Sequence, residues 1–121
     1  MARRKIQHQE GIRAIRSCLE DPDSADLATA VRYLLEELAE AAAGNTVEVR
    51  VPPYGATQCI AGPRHTRGTP PNVVEMSPEN WLNLAIGRIS WMEAVERNLV
   101  SSSGVRASLE EVLPLGIKGI H

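Results

Sequence analysis

The chain has 121 residues, of which 43% are hydrophobic and 23% charged; this length and composition are typical of one soluble globular domain. Its net charge of −2 does not favour nucleic acid or anionic membranes as partners, because both attract proteins with a basic surplus. Two Trp and two Tyr are the aromatic residues, too few for a base-stacking surface. No apolar run approaches the roughly 18 residues of a membrane span, so we expect no integral membrane segment.

Hydrophobic spacing predicts two helices in the first third of the chain. Apolar residues recur every three or four positions over 9–20, and the same spacing forms a longer stripe over 25–43. The segment Asp21–Ser24 interrupts the pattern and supplies an N-cap for the second helix. Gly44 then ends that helix, because glycine readily takes the backbone conformation of a helix C-terminus.

After the second helix the pattern changes to the alternation of β-strands. Val47, Val49 and Val51 alternate with charged residues, which predicts a half-buried strand. A second strand is predicted over 56–61, antiparallel to the first because the turn between them is too short for a crossover. With a third strand over 73–76, the three are expected to form a meander.

The C-terminal part carries three helix-start signatures. Ser77 precedes a proline, and Ser90 and Ser108 each stand three residues before a glutamate, which is the pattern of N-caps and capping boxes. The elements predicted from these signals are a helix over 78–86, a helix over 91–97, a strand over 99–103 and a third helix from Ser108 to Pro114.

This order of elements predicts an α+β fold. We expect a single twisted, mainly antiparallel sheet of about four to five strands, covered by helices. One domain would span residues 1–121, with residues 1–8 and 116–121 loosely packed.

Cysteine usage and the N-terminus predict a cytoplasmic protein. Cys18 and Cys59 fall in a predicted helix and strand, where unpaired cysteines are usually buried thiols of a reducing compartment. The basic residues Arg3–Lys5 are followed by the polar run 7–10 rather than by an apolar segment, which does not fit a signal peptide.

Residues capable of chemistry form no catalytic or metal-binding pattern. Cys59 precedes His65 by six positions, but a thiol in a predicted strand is better explained as a structural residue. The His and Cys residues lack the paired spacing of zinc ligands. We therefore predict no enzyme activity, no metal and no cofactor.

An extended resemblance, rather than one signature, relates the sequence to a known family. The segments that carry it are Ala30–Leu38, Val47–Pro53, Gly62–Asn72, Trp81–Val95, Ser101–Gly104 and Leu113–Leu115. They resemble sterol-carrier-protein-2-like domains, in particular the short actinobacterial members, and the resemblance spans about residues 25–115. It implies an α+β fold in which apolar space between sheet and helices holds a sterol, an acyl chain or another lipid.

The resemblance also indicates where such a ligand would bind. By periodicity alone the apolar residues of the C-terminal helices fit an ordinary core, whereas the resemblance favours a pocket lined by Ile60, Val74, Trp81, Leu84, Ala85, Trp91, Met92 and Val95. Because empty space in a core is destabilising, an unliganded pocket is expected to be partly collapsed.

The loop over 62–68 is the sharpest polar cluster of the sequence. Arg64, His65 and Arg67 lie between two glycines, and forked guanidinium groups can bind the anionic head of a ligand. A solvated loop whose arginines pair with local acids is the alternative.

These observations lead to one prediction and one alternative from another class. The prediction is a non-catalytic carrier of a lipid or other hydrophobic small molecule. The alternative is a structural or protein-interaction module with a filled core, accessory to an enzyme, and a homodimer stays open as a further partner. A weaker third reading is a small enzyme that uses the 64–67 loop.

Overall fold

A computed structural model describes residues 5–62 and 72–120 of the chain. Four helices and four strands lie in these ranges. In chain order they are α1 (His8–Glu20), α2 (Leu27–Ala41), β1 (Val47–Val51), β2 (Gly55–Cys59), β3 (Asn72–Met76), α3 (Pro78–Ala85), α4 (Trp91–Glu96) and β4 (Val100–Ser103).

The strands form one mixed sheet in the order β2-β1-β3-β4. The outer pairs β1–β2 and β3–β4 are antiparallel, and the central pair β1–β3 is parallel. The predicted α+β class and the mainly antiparallel sheet are therefore confirmed. The predicted meander is wrong, because β3 pairs with β1 instead of β2, a non-local choice that strand periodicity does not encode.

Helices cover one face of the sheet. Val47, Val49 and Val51 of β1 are buried together with Val74 of β3, whereas the intervening Arg50 is exposed. α2 packs against β2 and α3, while α1 packs on the outer side of α2. The alternation that predicted β1 thus separates a helix-covered face from a polar face.

Two predicted helix starts are confirmed by their hydrogen bonds. The Ser77 hydroxyl accepts the backbone N–H of Asn80 at 3.2 Å, and the Ser90 hydroxyl accepts that of Glu93 at 3.1 Å. Each bond satisfies an N–H group that lacks a partner in the first turn. These caps fix where α3 and α4 begin, and so fix the orientation of both tryptophan-bearing helices.

The third predicted helix of this region is absent from the described residues, where 108–114 forms turns. The Ser108 hydroxyl accepts the N–H of Glu110, two positions on instead of three, so a local turn replaces the capping box. Leu109 O accepts the N–H groups of both Val112 and Leu113, which closes a single turn. Pro114 prevents continuation, and one turn is too short to be stable as a helix by itself.

The C-terminal segment packs more tightly than the loose tail expected for residues 116–121. Leu115 and Ile117 are buried in the core, and the Leu115 N–H donates to Ala85 O at 2.8 Å. Arg16 on α1 donates through Nη2 to Gly119 O at 2.6 Å. The apolar residues Leu115 and Ile117 therefore tie the segment to the domain.

Candidate functional site

Trp81 lies at the centre of the predicted ligand site. Its side chain on α3 is 0% exposed, and its Nε1 donates to Val31 O on α2 at 3.3 Å. A buried indole N–H normally finds such a partner, because leaving it unpaired costs free energy. Trp81 thus joins α3 to α2 by packing and by one hydrogen bond.

Four further predicted residues are buried in the same core. Val74 on β3, Leu84 and Ala85 on α3, and Trp91 on α4 are at most 8% exposed. Together with Trp81 they belong to one continuous apolar cluster, and we call these five residues the tryptophan layer. In this structure their surfaces are occupied by neighbouring side chains.

Ile60 lies just beyond the end of β2 and is half-buried against the core. Its N–H donates to Ala42 O at 2.6 Å and its O accepts the N–H of Thr46 at 3.0 Å. A Cβ added to Gly44 would lie 2.1 Å from Ile60 O, so glycine is required by this close approach. The prediction that Gly44 caps α2 is wrong, because the helix ends at Ala41 with Ala42 as its C-cap. Gly44 instead allows the chain after α2 to pass closely beside Ile60.

Met92 and Val95 occupy a different environment. They are 59% and 46% exposed on α4, so neither faces an interior space in this structure. The remaining predicted contacts, Arg64, His65 and Arg67, lie outside the described residues. Five of the eight predicted apolar residues are therefore brought together in the core, and their role in ligand binding stays a prediction.

Four open grooves are found on the surface of the described part of the chain, and two of them have the greatest volumes. The larger, of about 1020 Å³, runs between α2, the turn into β2 and the segment before α1. Leu35 and Ala39 of α2 and Tyr54 of the turn are among its apolar residues. The smaller, of about 560 Å³, runs between α1 and the C-terminal segment. Both are lined by residues outside the predicted site.

Charged groups at the larger groove form both ion pairs and hydrogen bonds to the backbone. Lys5 Nζ lies 3.0 Å from Glu37 Oε2 and also pairs with Glu40, and hydrogen bonding to Glu40, partly offset by desolvation, raises the pKa of Lys5. Glu36 Oε1 accepts the N–H of Ile6 at 2.8 Å. Arg32 Nε donates to Tyr54 O at 2.9 Å. These contacts hold the groove walls in place. The lining contains Lys5 and Arg32 against Glu10, Glu36 and Glu40, so the groove has no basic surplus for an anionic ligand.

The two thiols are structural. Burial raises the pKa of Cys59 to about 11, and it is also the main reason that the pKa of Cys18 is raised. A nucleophilic cysteine requires a lowered pKa and access to solvent, and both thiols are buried. Within residues 5–62 and 72–120 no group of three His, Cys, Asp or Glu side chains is placed to hold a metal ion. In the same ranges no helix has the length and apolar character to cross a bilayer.

Comparison with known families identifies one match. A family model described as a bacterial SCP ortholog matches residues 23–115. The match begins just before α2 and extends beyond β4, so it includes the whole sheet and the tryptophan layer. No curated protein matches the chain.

Proposed function

Because this chain belongs to the family of bacterial SCP orthologs, we propose that it is a carrier domain that binds a hydrophobic small molecule without transforming it chemically. The family match over residues 23–115 is the observation that carries the proposal. A sterol or a fatty acyl group is the proposed ligand class, and the cytoplasm is the proposed location.

The proposed ligand site is the tryptophan layer. Its side chains are apolar, as in most small-molecule pockets, and they come from β3, α3 and α4 within one buried core. Since the layer is closed, a ligand must separate α4 from the core to enter it. α4 has six residues, and a helix this short depends on packing for its stability. We expect the ligand to replace contacts that α4 makes when the site is empty.

Arg64, His65 and Arg67 remain the proposed partners of an anionic head group. Arginine binds a carboxylate or phosphate through paired charge-assisted hydrogen bonds. A ligand without an anionic head should bind without their contribution, and replacing both arginines by glutamine separates these two cases.

Native mass spectrometry and tryptophan emission test the proposal. Protein purified without detergent should carry a lipid of defined mass. Titration of stripped protein with dansyl-labelled undecanoic acid should change the emission of Trp81 and Trp91, which are the two tryptophans of the chain. Saturable binding that leaves tryptophan emission unchanged would show that the ligand binds at another site. No binding of any acyl or sterol probe would refute the carrier proposal.

Met92 and Val95 provide the sharpest variants, because their exposure allows substitution without loss of folding. Met92→Glu and Val95→Glu should weaken probe binding by about tenfold if these residues contact the bound ligand. Val105→Glu is the matched control, since Val105 is 100% exposed and lies outside the proposed site. Equal binding by all three variants would show that Met92 and Val95 do not contact the ligand.

The packed tryptophan layer favours a second candidate, a protein-interaction module with a filled core. In that case the exposed Met92 and Val95 would contact a protein partner or a second copy. Their glutamate variants would then change the mass of the assembly in solution, measured by light scattering, whereas lipid probes would have no effect on either variant or wild type.

A further inference from the structure

The groove between α1 and the C-terminal segment is lined by cationic side chains, one of which is held by a hydrogen bond. Its α1 wall carries residues repeated at helical spacing, and its opposite wall is Lys118 and Gly119. We call it the α1–tail groove. The α1 residues that line it are His8, Gln9, Ile12, Arg13, Arg16, Ser17 and Glu20.

The charge of this groove is opposite to that of the whole chain. Arg13, Arg16 and Lys118 line it together with one carboxylate, that of Glu20, whereas the chain carries a net charge of −2. Arg13 is partly neutralised by Asp26, 3.3 Å away. Among the described residues, Arg16 and Lys118 have no acidic partner within salt-bridge distance. Within residues 5–62 and 72–120 their positive charge is therefore not neutralised by an ion pair.

Arg16 is held in place before any ligand arrives. One N–H of its guanidinium group, at Nη2, donates to Gly119 O at 2.6 Å, and the group has four further N–H donors. Gly119 has φ +96° and lies against α1, since a Cβ added there would be 3.8 Å from Ile12 Cγ2. A fixed guanidinium loses less side-chain entropy on binding than a free one.

Two further groups define what the groove can accept. His8 Nδ1 lies 2.7 Å from the Tyr33 hydroxyl, which orients the imidazole at one end of the groove. Ile12, which is 8% exposed, is the apolar residue of the lining. The volume of about 560 Å³ lies in the range of small-molecule sites and is larger than a bare phosphate ion requires.

We propose that the α1–tail groove binds a small organic oxyanion, a carboxylate or phosphate ester whose anionic group pairs with Arg16 and Lys118 and whose carbon skeleton contacts Ile12. This site differs from the tryptophan layer and does not depend on the carrier function. The anionic group can belong to a free metabolite or to a lipid head group, and the experiment distinguishes these sources.

The test is an NMR titration of the full chain with n-butyl phosphate at low ionic strength. Saturable shifts should appear at the amides of α1 and residues 117–119, while the amides of β1 stay unchanged. Inorganic phosphate should bind more weakly, because it has no group that contacts Ile12. Raising the salt concentration should weaken both, since exposed ion pairs are screened.

Arg16→Gln and Lys118→Gln should each weaken n-butyl phosphate binding by about tenfold. Arg106→Gln is the matched control, because it removes one exposed arginine outside the groove. If Arg16→Gln also loosens the C-terminal segment, Lys118→Gln still tests the site. Circular dichroism confirms that each variant is folded.

Vesicles distinguish the sources of the anion. Binding of n-butyl phosphate together with Lys118-dependent binding to phosphatidylglycerol vesicles supports the oxyanion site with a lipid head group as its source. Binding of n-butyl phosphate alone supports a free metabolite. Binding to the vesicles without saturable n-butyl phosphate binding would overturn the proposal, as would equal losses in Lys118→Gln and Arg106→Gln.

Discussion

The tryptophan layer and the α1–tail groove offer a ligand opposite conditions. The layer is apolar, at most 8% exposed and filled by its own side chains, so a ligand must displace protein. The groove is charged and open, so a ligand there must displace only water. Ligand binding to the layer should therefore depend on how tightly the core is packed, whereas ligand binding to the groove should depend on ionic strength. Substitutions in the layer should therefore change stability more than substitutions at the groove.

Trp81→Ala tests the layer and should have the largest effect. Removing a fully buried indole creates a cavity and removes the hydrogen bond that its Nε1 donates to Val31 O, so the free energy of unfolding should fall by about 3–5 kcal/mol. Urea denaturation measures this loss. If the variant remains folded, the dry cavity should bind benzene, as apolar cavities of that size do. Such binding would show that the layer accepts an apolar guest once space is made.

The control for Trp81→Ala is Val105→Ala. Val105 is 100% exposed, and its truncation should change the unfolding free energy by less than about 0.5 kcal/mol. A loss below about 1 kcal/mol for Trp81→Ala would mean that the layer rearranges easily, in which case a ligand could enter it with little cost.

Local signals explain which parts of the fold were predictable. The stripe of α2, the alternation of β1 and the caps at Ser77 and Ser90 depend on residues a few positions apart, and all were found from the sequence. The parallel pairing of β1 with β3 depends on distant segments and was missed. Ser108 shows the opposite failure, because its capping signature was present but Pro114 left room for one turn only.

The two candidate sites also differ in whether local sequence signals mark them. The tryptophan layer was predicted because apolar helices and a family resemblance mark it, although the sequence could not show that the space is filled. The α1–tail groove was missed because its walls are far apart in the chain: Arg16 and Gly119 are separated by 103 positions. Arg13 and Arg16 lie three positions apart on α1, but Lys118 joins them only through the packed C-terminal segment.

Thiol reactivity should distinguish the sheet from α1, the helix that forms one wall of the groove. Cys59 is 0% exposed in the sheet and its pKa is raised to about 11, whereas Cys18 on α1 is 6% exposed. At pH 8 iodoacetamide should modify Cys59 at least about a hundredfold more slowly than it modifies the unfolded chain, because fewer thiolates form. Cys18 should react faster than Cys59. Mass spectrometry of peptides gives both rates.

The raised pKa of Cys59 also determines a pH dependence. The folded thiol stays protonated above the pH at which the unfolded thiol ionises, so the unfolded state binds fewer protons in that window. The contribution of Cys59 to stability is therefore constant below about pH 9 and falls as the pH rises towards 11. Cys59→Ala should remove this component of the decline. An unchanged slope in that variant would contradict the assignment to Cys59.

Gly11→Ala should have the smallest of these effects, and it tests how α1, one wall of the groove, is seated on α2. Helix propensity favours alanine over glycine by about 1 kcal/mol. At this position, however, a Cβ would lie 2.3 Å from Cγ of Tyr33, and relieving such an overlap typically costs about 1–3 kcal/mol. We expect a net loss of about 1–2 kcal/mol in urea denaturation, with a shift of the Tyr33 ring away from His8.

Two further variants show whether that loss comes from the Tyr33 contact. Gly116→Ala should be nearly neutral, because a Cβ there meets no atom within 4 Å. In a Tyr33→Leu background the ring that opposes the new methyl group is absent, so Gly11→Ala should become neutral or stabilising by helix propensity. Equal losses in both backgrounds would mean that the glycine is needed for another reason. A loss that depends on Tyr33 would show that α1 is held by close packing, so that the groove has a rigid wall.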